Sequence, residues 1–386
     1  MAEKSSEKKD GPILVLNSGS SSLKFGVYRL AASRDGVDEE ALLTGSAQGI
    51  GRDSGSLHIV SADGKPLRQR DCIHESQSDA LNTLAAELRN HTDETPVAVG
   101  HRVVHGGPNL RQHQLITPQV LQQLRDATHF APLHIPQALK LIATAQSIFS
   151  SASHFACFDD AFHQTIPEVA AHFAIPQRYF DAGIRRYGFH GISYESLVHH
   201  FGARLPERAI FAHLGNGSSL CALRNGKSID TTMGLTPTGG IPMATRSGDL
   251  DPGILIYLLR TEKLEAGQLE DLLNHQCGLF ALSSGEGDVK ALEERARSND
   301  PKASLALDIF ATSIRKTIGA YLALLGGADL LVFTGGIGEH SERIRSAATQ
   351  GLDQLGLTRN KIQVVATQEE QQIARHCRAM MSESRS

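Results

Sequence analysis

No two of the cysteines form a CxxC pair. The five, at positions 72, 157, 221, 277 and 377, are far apart. Neither a zinc site nor a disulfide framework is indicated, and reduced thiols in the cytoplasm are the expectation. No apolar run approaches the roughly 20 residues that a membrane-spanning helix needs. There is no excess of positive charge either: 38 Lys and Arg against 42 Asp and Glu leave a net charge of −4. That excludes a general nucleic-acid binder with a basic face. Met1–Asp10 is charged and polar with no apolar segment, so it lacks the form of a secretory signal and reads as a disordered tail.

What remains is a chain of 386 residues, 40% hydrophobic and 21% charged. Those values describe a globular protein of two or three domains. The chain is organised around Ile13–Phe25, ILVLNSGSSSLKF. Ile13–Leu16 reads as a buried strand, the small residues from Asn17 to Ser21 as a turn, and Ser22–Val27 as a returning alternating strand. Such a turn gathers backbone N–H groups and hydroxyls at one point beside Lys24, as phosphate-binding concavities do; it reads equally as a Ser-rich hairpin.

Ala209–Leu223, AIFAHLGNGSSLCAL, repeats this strand–turn–strand form about 200 residues later. An internal repeat carries more weight than either copy alone. It predicts two half-molecules of one ancestry, each offering a phosphate-binding hairpin to a shared cleft.

Other strand ends collect chemistry. Val97–Val99 runs into Gly100–Gly107, where Arg102 offers a planar fork to a carboxylate or phosphate. His154–Asp159 ends on the acids Asp159 and Asp160, a place for metal or catalytic chemistry or for a helix N-cap. RRYGFHGIS sets His190 between glycines. The Gly/Pro-rich segment 228–253 carries Arg246 and is long enough to be functional. Asp329–Phe333 runs into Thr334–Glu339, TGGIGE, with a helix expected from about Ser341. A glycine turn there lets a nucleotide lie against backbone. Ala31–Glu40 reads as a charged loop. Helices are expected over Asp79–Arg89, Thr117–Ala127, Gln137–Phe149, Gly253–Leu259, Glu265–Leu273, Val289–Arg297, Ser304–Leu325 and Gln368–Cys377. Phosphate turns, one Lys, two loop arginines and several acids point to phosphoryl transfer, which needs cationic and backbone donors plus Mg²⁺ more than covalent help.

The segments ILVLNSGSSSLKF, GHRVVHGG, FDDAFHQTIP, RRYGFHGIS, HLGNGSS, DTTMGLTPTGG, TRSGDLDPG and FTGGIGE run in this order from Ile13 to Glu339. Together they make the sequence resemble the acetate/propionate kinase family, with a weaker match at Thr367–Ala374. The resemblance implies an α/β protein of two duplicated ribonuclease H-like domains, the actin-like ATPase superfold. The expected division is a tail over 1–12, an N-terminal domain of 13–158 plus 371–386, and a nucleotide-binding domain of 159–370.

The resemblance implies reversible transfer of the ATP γ-phosphoryl group to acetate, giving acetyl phosphate and ADP, in the cytoplasm and as a homodimer. By position, Asn17 and Glu369 would organise Mg²⁺, with Mn²⁺ as a substitute, and Lys24 would meet nucleotide phosphate. Arg102 would hold the acetate carboxylate, with Val104, Leu133 and Pro237 around its methyl group. Asp159 would be an essential acid, and His190 and Arg246 would stabilise the transferring phosphoryl group. His213, Leu214, Gly215, Asn216 and Gly217 would line the phosphates. Asp288, Val289, Lys290, Gly336, Ile337, Gly338, Glu339 and His340 would hold the adenosine.

Acetate is already ionised at neutral pH. Asp159 is therefore expected to position Arg246 or a metal-bound water rather than to act as a base. Departures from the family pattern fall at Ile135, Asp160, Thr238-Gly239, Lys290 and His340. The rivals are a propionate or other short-chain acyl kinase, a nucleotide-hydrolysing switch on the same fold, and a filament-forming scaffold. Arg102, which a switch does not need, argues against the second.

Overall fold

The computed structural model describes residues 11–19, 21–33, 36–91 and 94–383. The expected tail as far as Asp10, and Ser20 of the first turn, lie outside the described residues. The chain divides into two compact units, Met1–Ala161 with Gln368–Ser386 and, separately, Phe162–Thr367. Asp159 and Glu369, expected in the second domain, thus belong to unit 1. Gly11 and Pro12, expected in the tail, are tied into unit 1: Arg378 Nη2 donates to Gly11 O (3.1 Å) and Val97 N to Pro12 O (2.9 Å).

Unit 1 holds β1 (Ile13–Ser18), β2 (Ser22–Ser33), β3 (Gly36–Gln48), β4 (Ser56–Ser61), β5 (Pro66–Asp71), β6 (Ala98–Val103), β7 (Gln114–Leu115) and β8 (Ser153–Phe158). They form one sheet in the order β5-β4-β3-β2-β1-β6-β8-β7. β1, buried along almost its whole length, pairs antiparallel with β2 and parallel with β6, and β6 pairs parallel with β8. One apolar face, including Leu14, Leu16, Phe25 and Val27, packs on Leu81, Leu84 and Leu88 of the helix Gln77–His91 and on Leu141 and Ala145 of Ile135–Ile148. Burial of each such leucine contributes about 1.5–3 kcal/mol.

The other face takes the helix Glu369–Glu383. A Cβ on Gly100 would lie 2.5 Å from Ile373 Cγ2 and 2.7 Å from Cys377 Sγ, so only glycine lets that helix lie flat on β6.

Unit 2 holds β9 (Arg208–Leu214), β10 (Ser218–Arg224), β11 (Lys227–Thr231), β12 (Leu330–Thr334) and β13 (Ile362–Val364), in the order β11-β10-β9-β12-β13. β9 pairs antiparallel with β10 and parallel with β12, and β12 pairs parallel with β13. This reproduces β3-β2-β1-β6-β8 strand for strand and direction for direction, so the repeat seen in the sequence is a repeat of topology. The helix Pro301–Leu325 covers this sheet through Phe310, Ile314 and Ile318, and ends at Gly326 in the left-handed region (φ 70°).

Three local expectations are corrected. Residues 31–40, read as a charged loop, belong to β2 and β3 wherever they are described. Two of their acids are paired: Arg375 Nε and Nη2 each lie 2.7 Å from Asp38, and Arg378 Nε lies 2.6 Å from Glu39. Gly100–Val103, read as loop, belongs to β6, because β8 pairs with all four residues and β1 with Gly100 and His101. Gly335–His340, read as a turn before a helix at Ser341, is itself a short helix, and Ser341 caps the next one, Glu342–Thr349.

Candidate active site

Each unit carries a cluster at the carboxyl end of its central strand. In unit 1, Asn17 of β1 stands directly opposite Lys24 of β2. Arg102 lies on β6, and Asp159 follows β8, its backbone N–H donating to Val103 O at 2.9 Å. The Arg102 guanidinium donates from Nη2 to Asp159 Oδ2 (2.6 Å) and from Nη1 to Ser18 O (3.2 Å) and Asn17 Oδ1 (3.5 Å). Its Nε is buried with no hydrogen-bond partner among the described residues. Burial opposes the Arg102 charge, but Asp159 and Glu369 outweigh it, so the guanidinium is held charged more firmly than usual.

Asn17 Nδ2 donates to Glu369 Oε2 (2.9 Å) and Glu370 Oε1 (2.7 Å). The Glu370 carboxyl is pushed above its ordinary range, first by burial and then by the negative charge of Glu369; Lys24 and Asn17 act against the shift. Two carboxylates forced together at the Asn17 side chain form a hard-oxygen donor set that fits a divalent cation. Val104, one residue past β6, is half-buried, and Leu133 is 40% exposed.

In unit 2 the turn between β9 and β10 is closed by Gly215 N donating to Gly217 O at 3.1 Å. His190 and His213 stack with ring centroids 4.2 Å apart. His190 caps the helix Gly191–Phe201 in the left-handed region, at φ 59°. Non-glycine residues hold that conformation only where the surroundings fix them. Its Nδ1 lies 2.8 Å from Ser219 Oγ, itself 2.5 Å from Tyr194 OH. His213 Nδ1 lies 2.8 Å from Ser193 Oγ, which accepts from Thr367 Oγ1 at 2.9 Å.

Arg246 Nη1 donates to Pro237 O (3.2 Å). A Cβ on Gly217 would stand 3.3 Å from both Arg246 Nη1 and His190 Nε2, so two side-chain donors and a bare stretch of backbone converge on one place. This set can bind and polarise a phosphoryl group.

The nucleotide candidates are placed more loosely. Asp288 is exposed and caps the helix Val289–Arg297, accepting from Ala291 N at 2.9 Å. The Val289 side chain is 4% exposed and belongs to the core, whereas Lys290 and His340 face solvent. Gly336 is exposed and Gly338 buried; Ile337 and Glu339 are half-buried, and Glu339 Oε1 accepts from Gly335 N at 3.1 Å. Leu214, at the end of β9, lies in the core, and Asn216 O accepts from Ala244 N at 3.2 Å.

The sequence model of the Acetokinase family matches residues 12–381. The chain belongs to the acetokinase family. It is 40% identical, over 96% of both chains, to an acetate kinase of Nitrobacter hamburgensis. Among solved structures, an acetate kinase of Porphyromonas gingivalis superposes with a TM-score of 0.83 at 31% identity, covering 96% of this chain and 100% of that one. A propionate kinase of Francisella tularensis superposes at 0.84 with 34% identity, covering 95% and 98%. The protein is thus an enzyme, a kinase, with the duplicated actin-like fold of this acetokinase group.

Within the acetokinase frame, the structure adds residues that sequence reading did not single out. Glu370 shares Asn17 with Glu369, and nothing in the run Glu-Glu-Gln-Gln says which acid faces the site. Ser219 and Tyr194 fix the ring of His190. His105, likewise not singled out, is fully buried and places Nδ1 2.7 Å from Oδ2 of Asp160, the second acid at the end of β8.

Proposed function

We propose that this enzyme transfers the γ-phosphoryl group of ATP to acetate, reversibly and by direct in-line displacement, giving acetyl phosphate and ADP. The observation that carries this reading is the convergence of His190 Nε2 and Arg246 Nη1 on Gly217. Charge spreads over the equatorial oxygens during phosphoryl transfer, and fixed donors aimed there act without reorganising. Arg102 serves the acceptor. Its unmet Nε is a cost in the free protein that a bound carboxylate removes. Asp159, buried and hydrogen-bonded to Arg102, orients the guanidinium; a carboxylate nucleophile needs no base.

Asn17 and Glu369, with Glu370, would hold Mg²⁺, and Mn²⁺ fits the same oxygen donors. The ion supplies neutralisation of phosphate charge. Lys24, across the ladder from Asn17, adds a cation for the nucleotide phosphates. His213–Gly217 cradle those phosphates, and Asp288–Lys290 and Gly336–His340 hold the adenosine. Val104, Leu133 and Pro237 bound the methyl group.

The enzyme acts as a homodimer in the cytoplasm. Its described cysteines are all free thiols, and no helix among the described residues is long and apolar enough to cross a membrane. The deciding assay couples ADP release to acetate, with propionate and butyrate alongside. Acetate-dependent release with kcat/KM highest for acetate is expected. ATP hydrolysis indifferent to any carboxylate would overturn the reading, and a clear preference for propionate would shift it to that acid.

A further inference from the structure

Cys72, His74 and Asp79 form a connected row in unit 1 that the phosphoryl-transfer reading does not use. Cys72 follows β5 directly and is half-buried, its N–H donating to Gly55 O at 3.0 Å. Its Sγ lies 3.1 Å from His74 Nε2. The His74 ring is 2% exposed, and its Nδ1 lies 3.5 Å from Asp79 Oδ2. Asp79 is itself held, because Oδ2 accepts from Glu75 N at 3.2 Å and its own N–H donates to Ser76 Oγ at 3.2 Å.

The order thiol, imidazole, carboxylate is that of an assisted nucleophile. Asp79 beside Nδ1 favours the tautomer that carries its proton there, which leaves Nε2 to accept from the thiol. The row engages both ring nitrogens, on opposite sides of the imidazole. Ligands of a metal converge on one point, so a metal site does not explain it.

The other thiols differ in exposure or surroundings. Cys157, Cys221 and Cys377 are buried. Cys277 is half-buried like Cys72, but burial raises its pKa, and no side-chain hydrogen bond to its sulfur is found among the described residues. Cys277 is therefore an internal reference of similar exposure without the base.

We propose that Cys72 is a base-assisted nucleophilic thiol, a site of covalent modification by small soft electrophiles, hydroperoxides first among them. In the reaction the sulfur attacks one peroxide oxygen. An S–O bond forms and the O–O bond breaks. The sulfur is oxidised by two electrons to a sulfenic acid and the peroxide is reduced. The thiol proton passes through His74 Nε2 to the departing hydroxide, which leaves as water. With an alkyl iodide, an S–C bond forms and iodide leaves.

The experiment treats the full-length protein with limiting iodoacetamide, and separately with hydrogen peroxide and dimedone, at neutral pH. Peptide mass mapping then gives a rate for each cysteine. Cys72 is expected to react about tenfold or more faster than Cys277, and to be the residue trapped by dimedone. His74→Gln is expected to remove the difference while the Cys277 rate stays constant, which shows that the fold is intact. If His74→Gln raises the Cys277 rate, Asp79→Asn replaces it as the diagnostic variant, with several-fold slowing at Cys72 expected. Equal rates at Cys72 and Cys277 in the native protein, or a Cys72 rate unchanged by both variants, would overturn the proposal.

Discussion

Arg102 and Asp159 stand at the carboxyl ends of neighbouring parallel strands, with Nη2 and Oδ2 2.6 Å apart, and the Asp159 side chain is 1% exposed. A buried ion pair is costly to break from one side, because the remaining charge is left without compensation. Arg102→Ala is expected to destabilise unit 1 by about 3–5 kcal/mol, seen as a lower melting temperature. Arg102→Lys keeps the charge but not the fork that meets Asp159, Ser18 and Asn17 together. It is expected to fold and to raise the acetate KM strongly while leaving the ATP KM nearly unchanged. Equal increases in both constants would show that Arg102 serves the nucleotide instead.

Arg246 is braced by the Pro237 carbonyl and stands against the bare backbone of Gly217. A donor that acts on charge formed during transfer lowers the barrier more than it tightens the ground state. Arg246→Ala is expected to lower kcat by about 10³-fold or more, with a much smaller change in the ATP KM. Steady-state kinetics separates the two; matched losses in kcat and nucleotide affinity would mark a binding role.

Much of this was legible in the sequence because it is local. The apolar runs at Ile13–Leu16 and Ala209–Leu214, each followed by small residues, announce the two hairpins, and the strand orders show that the repeat is structural. What was not legible depends on partners far along the chain. Asp38 and Glu39 look like loop acids until Arg375 and Arg378 are found beside them. Gly100–Val103 looks like a glycine loop because its polar residues break the hydrophobic pattern, and only pairing with β8, and with β1 at Gly100 and His101, makes it strand. The contact between Asp159 and Arg102 is likewise set by the register of β6 and β8, which no spacing rule contains.

Val104 is half-buried immediately after the strand that carries Arg102. Placed against the methyl group of acetate, its branched side chain limits the room for one more carbon. One methylene is worth about 1–3 kcal/mol of discrimination. Val104→Ala is expected to raise the ratio of kcat/KM for propionate over acetate about tenfold or more. An unchanged ratio would remove Val104 from the acyl pocket.

His101 and His154 stack in unit 1, His101 Nε2 lying 3.0 Å from His154 Nδ1. Burial, then the neighbouring His154, lowers the His101 pKa to about 3. Burial lowers that of His154 as well, against the contact with the Phe149 carbonyl. The unfolded chain therefore takes up protons near pH 6.5 that the folded chain refuses until about pH 3. Stability from this pair is complete above pH 6.5 and falls as the pH drops through that window, by a few kcal/mol in all. Melting temperature followed from pH 7 to pH 4 should fall, and His101→Gln should flatten the slope. The same slope in the variant would assign the acid sensitivity elsewhere.

The helix Pro252–Thr261 has no buried residue, although its sequence is PGILIYLLRT. Ile254, Ile256, Tyr257 and Leu259 are 44%, 47%, 56% and 43% exposed, with Leu250 beside them at 38%. A ten-residue helix is marginal by itself in water and depends on packing an apolar face. This one shows apolar groups around most of its circumference, as a helix does when a partner surface covers it. In the homodimer proposed above, a second copy of the chain would supply that surface, and stable interfaces of this kind bury about 1,200–2,000 Å² in total. Light scattering coupled to size exclusion should give twice the mass of the 41.6 kDa chain. Ile254→Glu combined with Tyr257→Glu should return it to the monomer mass, because two carboxylates would be buried without partners. A monomeric native protein would remove the dimer altogether. A double variant that still dimerises would place the interface on another face.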